Sequence, residues 1–330
     1  MNPVQVKKFL AIFIILLLVF MIFLHSDVSI VDSRGTAILS QLKEANQIYL
    51  NYKIPKTGSL MNNTNDADGI TTRWAVVIAC SGGVTYGRHE RRDKNDVRVL
   101  KKILRNNGWE DNHIFLLSNE EATTEAILND SFNWLINNGE DEDDIIFFFF
   151  SGHGYYHTGD QPPLDEPDGR DEIIHPWDPD MAGWNPDVVI VDDVLAEKFH
   201  TLKSKNIVII IHTCHAGGWI DGEQDLCESG RVVMVSCGVD ESSCMMKYQL
   251  HWLFPYYLIQ GLRGFADKNG DKCVSAEECF DFTIKPVQFR SKIYNWMLTG
   301  TASTQNPEIF DGWPTEENND EELMLIRLER

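Results

Sequence analysis

Two stretches of this 330-residue chain place reactive side chains directly after long apolar runs. In FFFFSGHGYY (147–156), His153 stands between Gly152 and Gly154; in NIVIIIHTCHAGG (206–218), Cys214 follows His212 and Thr213. Cysteine attacks as its thiolate, and a free thiol is mostly protonated at neutral pH. An imidazole beside it takes the proton and later delivers it to the leaving group. A Cys214–His153 dyad therefore needs the two runs to lie side by side and end at the same depth. Gly152 and Gly154 are expected to let the backbone turn sharply there, with the amides of Gly154 and Cys214 facing a developing oxyanion. Other chemistries use the same residue types. Phosphatase chemistry needs a phosphate-cradling loop closed by an arginine, and CHAGGWID (214–221) has none. A zinc site from His153, His212, Cys214 and His215 has suitable ligand types but not the spacing of common zinc motifs. The bland alternative, a core thiol and a turn histidine, leaves two glycine-rich polar strand ends unexplained.

The elements that must position this pair follow from periodicity. WAVVIAC (74–80), HIFLLSN (113–119), DIIFFFF (144–150), NIVIIIHTC (206–214) and RVVMVSC (231–237) are short, apolar and bounded by turn residues, as buried parallel strands are. NDVRVLKKILRNNG (95–108), TTEAILNDSFNWLINNG (123–139) and DDVLAEKFHTL (192–202) have apolar residues at helical spacing. LHWLFPYYLIQGL (250–262) is a further apolar helix, with a kink expected at Pro255. The alternation predicts an α/β domain: a mostly parallel β-sheet with helices on both faces and ligands beyond the carboxyl ends of the strands. Both reactive stretches finish at that edge.

FFFFSGHG, DEPDGRDEIIHPWD (165–178) and HTCHAGG, in this order, resemble the motifs of the caspase–hemoglobinase superfamily of cysteine peptidases. Within it they are most similar to the metacaspase-like, caspase-domain proteins of prokaryotes. The likeness spans about residues 73–310, and QNPEIFDGWP (305–314) is also similar. It implies a caspase-like fold, Cys214 as nucleophile, His153 as its partner, Gly154 and Cys214 as oxyanion amides, and a protein or peptide substrate. Metacaspases usually carry an Asp two residues before the nucleophile, part of an acidic pocket for a substrate Arg or Lys. This chain has His212 there, while Asp96 in KNDV matches the other acidic pocket position. Basic specificity is thereby weakened, and the Asn-directed legumain-like peptidases or transamidases are the nearest alternative. A non-catalytic, calcium-stabilised binding module is the alternative from another class; the intact Cys214 and His153 favour the enzyme, and His212 points the other way.

Asp165, Asp168, Asp171, Asp192, Asp193 and Asp221 crowd the same edge and would repel one another unless solvated or bridged by a cation. The resemblance implies a calcium site from Asp168 or Asp171, Asp192, Asp193 and Asp221. A second calcium candidate is DKNGDKCVSAEE (267–278). Asp267, Asn269, Asp271, Ser275 and Glu278 fall at positions 1, 3, 5, 9 and 12 of an EF-hand-like loop, and the Cys273 carbonyl serves position 7. Lys272 stands where the EF-hand has its turn glycine, and Gly270 comes two places early, as in dockerin-type loops.

The charge balance, 50 Asp and Glu against 29 Lys and Arg, excludes a nucleic-acid surface and suits divalent cations. The acidic runs EDEDD (140–144) and EENNDEE (316–322) read as solvated loops. Lys7 and Lys8 precede the apolar run Phe9–Leu24, and no small-x-small cleavage site follows. Residues 1–27 are therefore expected to be an uncleaved signal anchor, which makes the chain a single-pass membrane protein with its catalytic domain on the extracytoplasmic side. Residues 28–72 read as a stalk with an acceptor sequon at Asn62, 73–313 as the peptidase domain, and 314–330 as an acidic tail. Export would permit disulfides among the seven cysteines, whose odd count leaves one over.

Overall fold

A computed structural model of the protein describes residues 70–81, 89–159, 166, 168–177, 188–221, 226–246, 250–300, 303–315 and 321–328. The strands are β1 (Arg73–Cys80), β2 (Ile114–Ser118), β3 (Ile145–Thr158), β4 (Arg170–His175), β5 (Ile190–Val191), β6 (Asn206–His212), β7 (Arg231–Val235), β8 (Cys273–Ser275), β9 (Glu308–Asp311) and β10 (Met324–Arg327). The α-helices are α1 (His89–Asn106), α2 (Ser131–Asn137), α3 (Asp192–His200), α4 (Leu253–Gln260) and α5 (Ala276–Thr299). The main sheet runs β2-β1-β3-β6-β7-β9, parallel throughout except for β9. This is the expected α/β architecture with a mostly parallel sheet.

The four phenylalanines explain why the sheet is covered on both sides. Side chains alternate along a strand. Phe147 and Phe149 pack with Leu100, Trp109 and Phe254, whereas Phe148 and Phe150 pack with Phe132, Leu195 and Phe199 on the other face. All four are fully buried, each contributing roughly 1.5–3 kcal/mol by area. With β1 on one side and β6 on the other, β3 has no free backbone edge over this length.

β3 does not stop at Phe150, as its apolar run suggests. It continues to Thr158, leaving the parallel sheet and pairing antiparallel with β4, which in turn pairs with β5. Gly152 and Gly154 make this possible by close approach rather than by a sharp turn. Neither has a positive φ. A Cβ on Gly152 would lie 2.2 Å from the Cys80 carbonyl oxygen, and one on Gly154 would lie 2.6 Å from Thr213 Cβ. Pro255 falls in the first turn of α4, where no backbone N–H is needed, so it produces no kink.

The acidic tail expected over 314–330 is only partly that. Met324–Arg327 pairs with β8, Leu323, Leu325 and Ile326 are buried, and Trp109 Nε1 donates to the Leu325 carbonyl at 3.1 Å. The seven cysteines form no disulfide. Among the described residues no helix is long and apolar enough to cross a membrane, so the single-pass membrane location is not supported. The segments on which that expectation was placed, 1–27 and the stalk to residue 69, lie outside the described residues.

Candidate active site

The site forms where β1, β3 and β6 reach their carboxyl ends. The last paired residues of the β3–β6 ladder are Ser151 and His212. Two residues further along each chain stand His153 and Cys214. Both candidate residues therefore follow the same edge of the parallel sheet. Gly154 is pressed against Thr213 and the Cys214 carbonyl, 3.0 Å from where its Cβ would be, so the two oxyanion candidates also share this edge. His153 is the residue at which β3 changes partners, and its first antiparallel partner is His175.

β1 supplies the third element. The Ser81 carbonyl, just past its end, accepts from the His153 imidazole and orients it. Burial holds the His153 pKa below the ordinary histidine value, and the Ser81 bond offsets this only in part. A neutral imidazole is the form that can accept a proton. His89, at the start of α1, has its ring 6.2 Å from that of His153 and is likewise lowered by burial. Burial and the nearby His153 charge push His175 down to about 4. Cys214 is partly exposed, with Sγ 3.7 Å from Ser243 Oγ. The chain then turns sharply: His215 has φ +58°, fixed by its Nδ1 donating to the Val239 carbonyl at 2.7 Å and its amide to Glu241 at 2.8 Å. Ser81, His89 and Ser243 were not legible as site residues, since each belongs to a segment with no motif of its own; His175 lies within the 165–178 motif but was not singled out there.

The two pocket positions are not open. Asp96 is fully buried on α1 and is bonded by His251 Nδ1 and the Trp252 amide. Burial raises its pKa, with His251 opposing. His212 is 1 % exposed, bonded through Nδ1 to Ser151 Oγ at 2.8 Å, and its Nε2 has no partner. Burial alone drives its pKa down to about 3. A further buried carboxylate, Asp93, accepts from Trp252 Nε1 at 2.9 Å.

Beside the dyad, Glu166, Glu172 and Asp192 each offer an oxygen within 4.8 Å of the others. Asp192 also accepts from the Glu172 and Asp193 amides at 2.7 and 2.9 Å. Both Glu172 oxygens are buried without a hydrogen-bond partner, and its pKa rises to about 10 through burial, then Asp192, Asp221, Glu166 and Asp168. Gly218, in the turn after Cys214, is moulded around it: a Cβ there would lie 2.0 Å from Glu172 Cδ. Of the aspartates expected as ligands, Asp192 lies in this group and Asp168 and Asp221 face it. Asp221 is raised to about 6 by burial and Asp168. Asp171 is the strand neighbour of Glu172 and so points to the opposite face of β4. Asp193 lies outside the group of three, and Asp165 lies outside the described residues. The glutamates were missed because the sequence reading followed aspartates only. An all-carboxylate set with orphaned buried oxygens fits a hard cation such as calcium.

The 267–278 loop has EF-hand-like order. Asp267 accepts from Gly270 and Lys272 amides at 2.8 and 3.2 Å, Asn269 Oδ1 from Asp271 at 2.8 Å, and Asp271 from Cys273 at 2.7 Å. Ser275 caps α5 reciprocally with Glu278, whose Oε1 also accepts from the Lys268 amide at 3.1 Å. Lys272 sits at φ +70°, the left-handed conformation that glycine adopts without strain. Lys272→Gly is therefore expected to raise stability by about 1 kcal/mol, read as a higher urea midpoint at unchanged slope.

Comparison with known proteins agrees with this geometry. Residues 74–223 match the family model of the metacaspase, peptidase C14 domain. Metacaspase-1 of Candida albicans is 32% identical over 142 residues, covering 38% of this chain and 29% of that protein. Metacaspase-1 of Lodderomyces elongisporus is 31% identical over 168 residues, covering 43% and 35%. The chain thus spans about a third of the length of these relatives. Residues 74–223, which hold β1, β3, β6, His153 and Cys214, are thus similar to the metacaspase-type C14 domain of caspase-like cysteine peptidases.

Proposed function

We propose that this chain is a cysteine endopeptidase in which Cys214 attacks the scissile carbonyl and His153 carries the proton. The observation that supports this is the β3–β6 register, which ends at Ser151 and His212, two residues before His153 and Cys214 on each chain segment. His153, neutral and oriented by Ser81, takes the Cys214 proton as the C–S bond forms. It then protonates the departing amine, and in the second half-reaction it accepts a proton from the water that attacks the thioester. The amides of Gly154 and Cys214 face the oxyanion. A basic substrate side chain reaching Asp96 has to displace His251.

Glu166, Glu172 and Asp192, with Asp168 and Asp221 around them, would hold a calcium-type cation. Such a cation neutralises their mutual repulsion and takes no part in bond making. Its effect on turnover would come from fixing β4 against the turn after Cys214, and so the walls of the substrate cleft. The 267–278 loop would hold a second cation that stabilises the fold by mass action. Thiol-directed activity labelling tests both points. Labelling in calcium is expected to vanish in Cys214→Ala and to weaken with chelator. Equal labelling of Cys214→Ala and the unmutated protein removes the nucleophile assignment; equal labelling with calcium and chelator removes the cation.

A further inference from the structure

The opposite end of the sheet from the dyad holds another carboxylate group. Asp141, Asp143 and Asp144, in a run expected to be a solvated loop, each place an oxygen within 4.8 Å of the others. Asp144 is committed to the backbone frame: it accepts from the Thr72 amide at 2.7 Å, Trp74 Nε1 at 2.8 Å and the Asp141 amide at 3.2 Å. Asp143 is different. It is only 8% exposed, and both of its carboxylate oxygens are buried with no hydrogen-bond partner. Among the described residues no Lys, Arg or His forms an ion pair with any of the three. A buried carboxylate without donor or counter-charge, aimed at two others, lacks the partner that normally accompanies it.

We propose that Asp141, Asp143 and Asp144 bind a hard divalent cation of the calcium type, at a site separate from the dyad and from the 267–278 loop. The donors are all carboxylate oxygens, with no nitrogen or sulfur ligand in the group, which selects for hard cations. Asp141 is partly exposed, leaving a side from which water completes the coordination.

The surroundings say what such a cation does. Glu140 accepts from the Lys203 and Ser204 amides at 2.9 and 3.0 Å. The Glu142 carbonyl accepts from Lys205 at 3.1 Å, and the Asp144 carbonyl from Ser204 Oγ at 2.7 Å. Through Asp144 the same turn also holds the start of β1. A cation here ties together the amino ends of β1, β3 and β6, the strands whose other ends present Ser81, His153 and Cys214. It is a structural site, so its loss should lower stability in calcium more than turnover.

Calcium titration calorimetry on the full chain, with melting in calcium and in chelator, tests this. Asp143→Asn is expected to bind one calcium ion fewer per chain than the unmutated protein. It should lose part of the calcium-induced rise in melting temperature, while melting no lower in chelator, where removing one charge relieves repulsion. Terbium luminescence excited through tryptophan should fall in the same variant, because Trp74 touches Asp144. If Asp143→Asn does not fold, the half-buried Asp141→Asn gives the same readings. Unchanged calcium stoichiometry in the folded variant overturns the proposal, as does a chelator-independent gain in stability with the calcium increment intact.

Discussion

Cys214→Ala is expected to reduce kcat/KM for peptide hydrolysis by at least about 10³-fold, with the circular dichroism spectrum unchanged. The side chain is partly exposed beyond the end of β6 and anchors no core contact, so its removal should not disturb the sheet. His153→Ala is expected to cost roughly 10²–10⁴-fold, the usual contribution of a positioned proton carrier. In the intact enzyme, burial disfavours the His153 imidazolium. Protonation of His153 removes the base, so the acid limb of the kcat/KM profile should fall below the ordinary histidine value of about 6.5. Hydrolysis by folded Cys214→Ala at the unmutated rate would overturn the dyad.

The second large effect is on stability in acid. His212 has a folded pKa of about 3, depressed by burial, and its Nε2 has no acceptor. A histidine depressed in the folded state gives its full contribution above the unfolded value and loses it as pH falls toward the folded one. For a drop from 6.5 to about 3 this amounts to about 5 kcal/mol in full, and to roughly 2–3 kcal/mol by pH 4.5. Buried carboxyls oppose it. Asp93 and Glu277, raised to about 7 by burial, favour the folded state increasingly as pH falls through 7. Total stability thus mixes opposite signs, and the difference between two variants isolates one histidine. His212→Asn can keep a bond to Ser151 and removes the titration. Its stability relative to the unmutated protein, measured in urea at pH 7 and pH 4.5, should shift in its favour by about 2–3 kcal/mol on acidification. A difference independent of pH would mean that His212 is not held neutral by its surroundings.

The same residues show how far the sequence could be read. His212 was legible as a departure from the metacaspase pattern, but its burial was not, because one histidine beside a strand end reads alike whether it faces solvent or core. Asp96 matched a motif; its bond to His251, far along the chain, has no local signal. β4, β5, β8, β9 and β10 were not predicted. They are short, and β4 has polar residues at four of its six positions, so their pairing rests on neighbours rather than on propensity.

The sequence by itself determined the central strands and the helices between them, and it singled out the candidate pair His153 and Cys214. Long apolar runs must be buried on both faces, and few arrangements bury them other than a covered parallel sheet. Tertiary structure decided the rest. It decided that β3 runs on past the sheet, because Gly152 and Gly154 leave room for Cys80 and Thr213 to approach. It decided which carboxylates face one another, since adjacent strand residues such as Asp171 and Glu172 point to opposite faces. It also turned EDEDD from a solvated loop into the buried joint at the base of β1, β3 and β6, through hydrogen bonds between residues some 60 to 70 positions apart. Periodicity records which residues avoid water; contacts at that separation depend on register, which only the assembled sheet fixes.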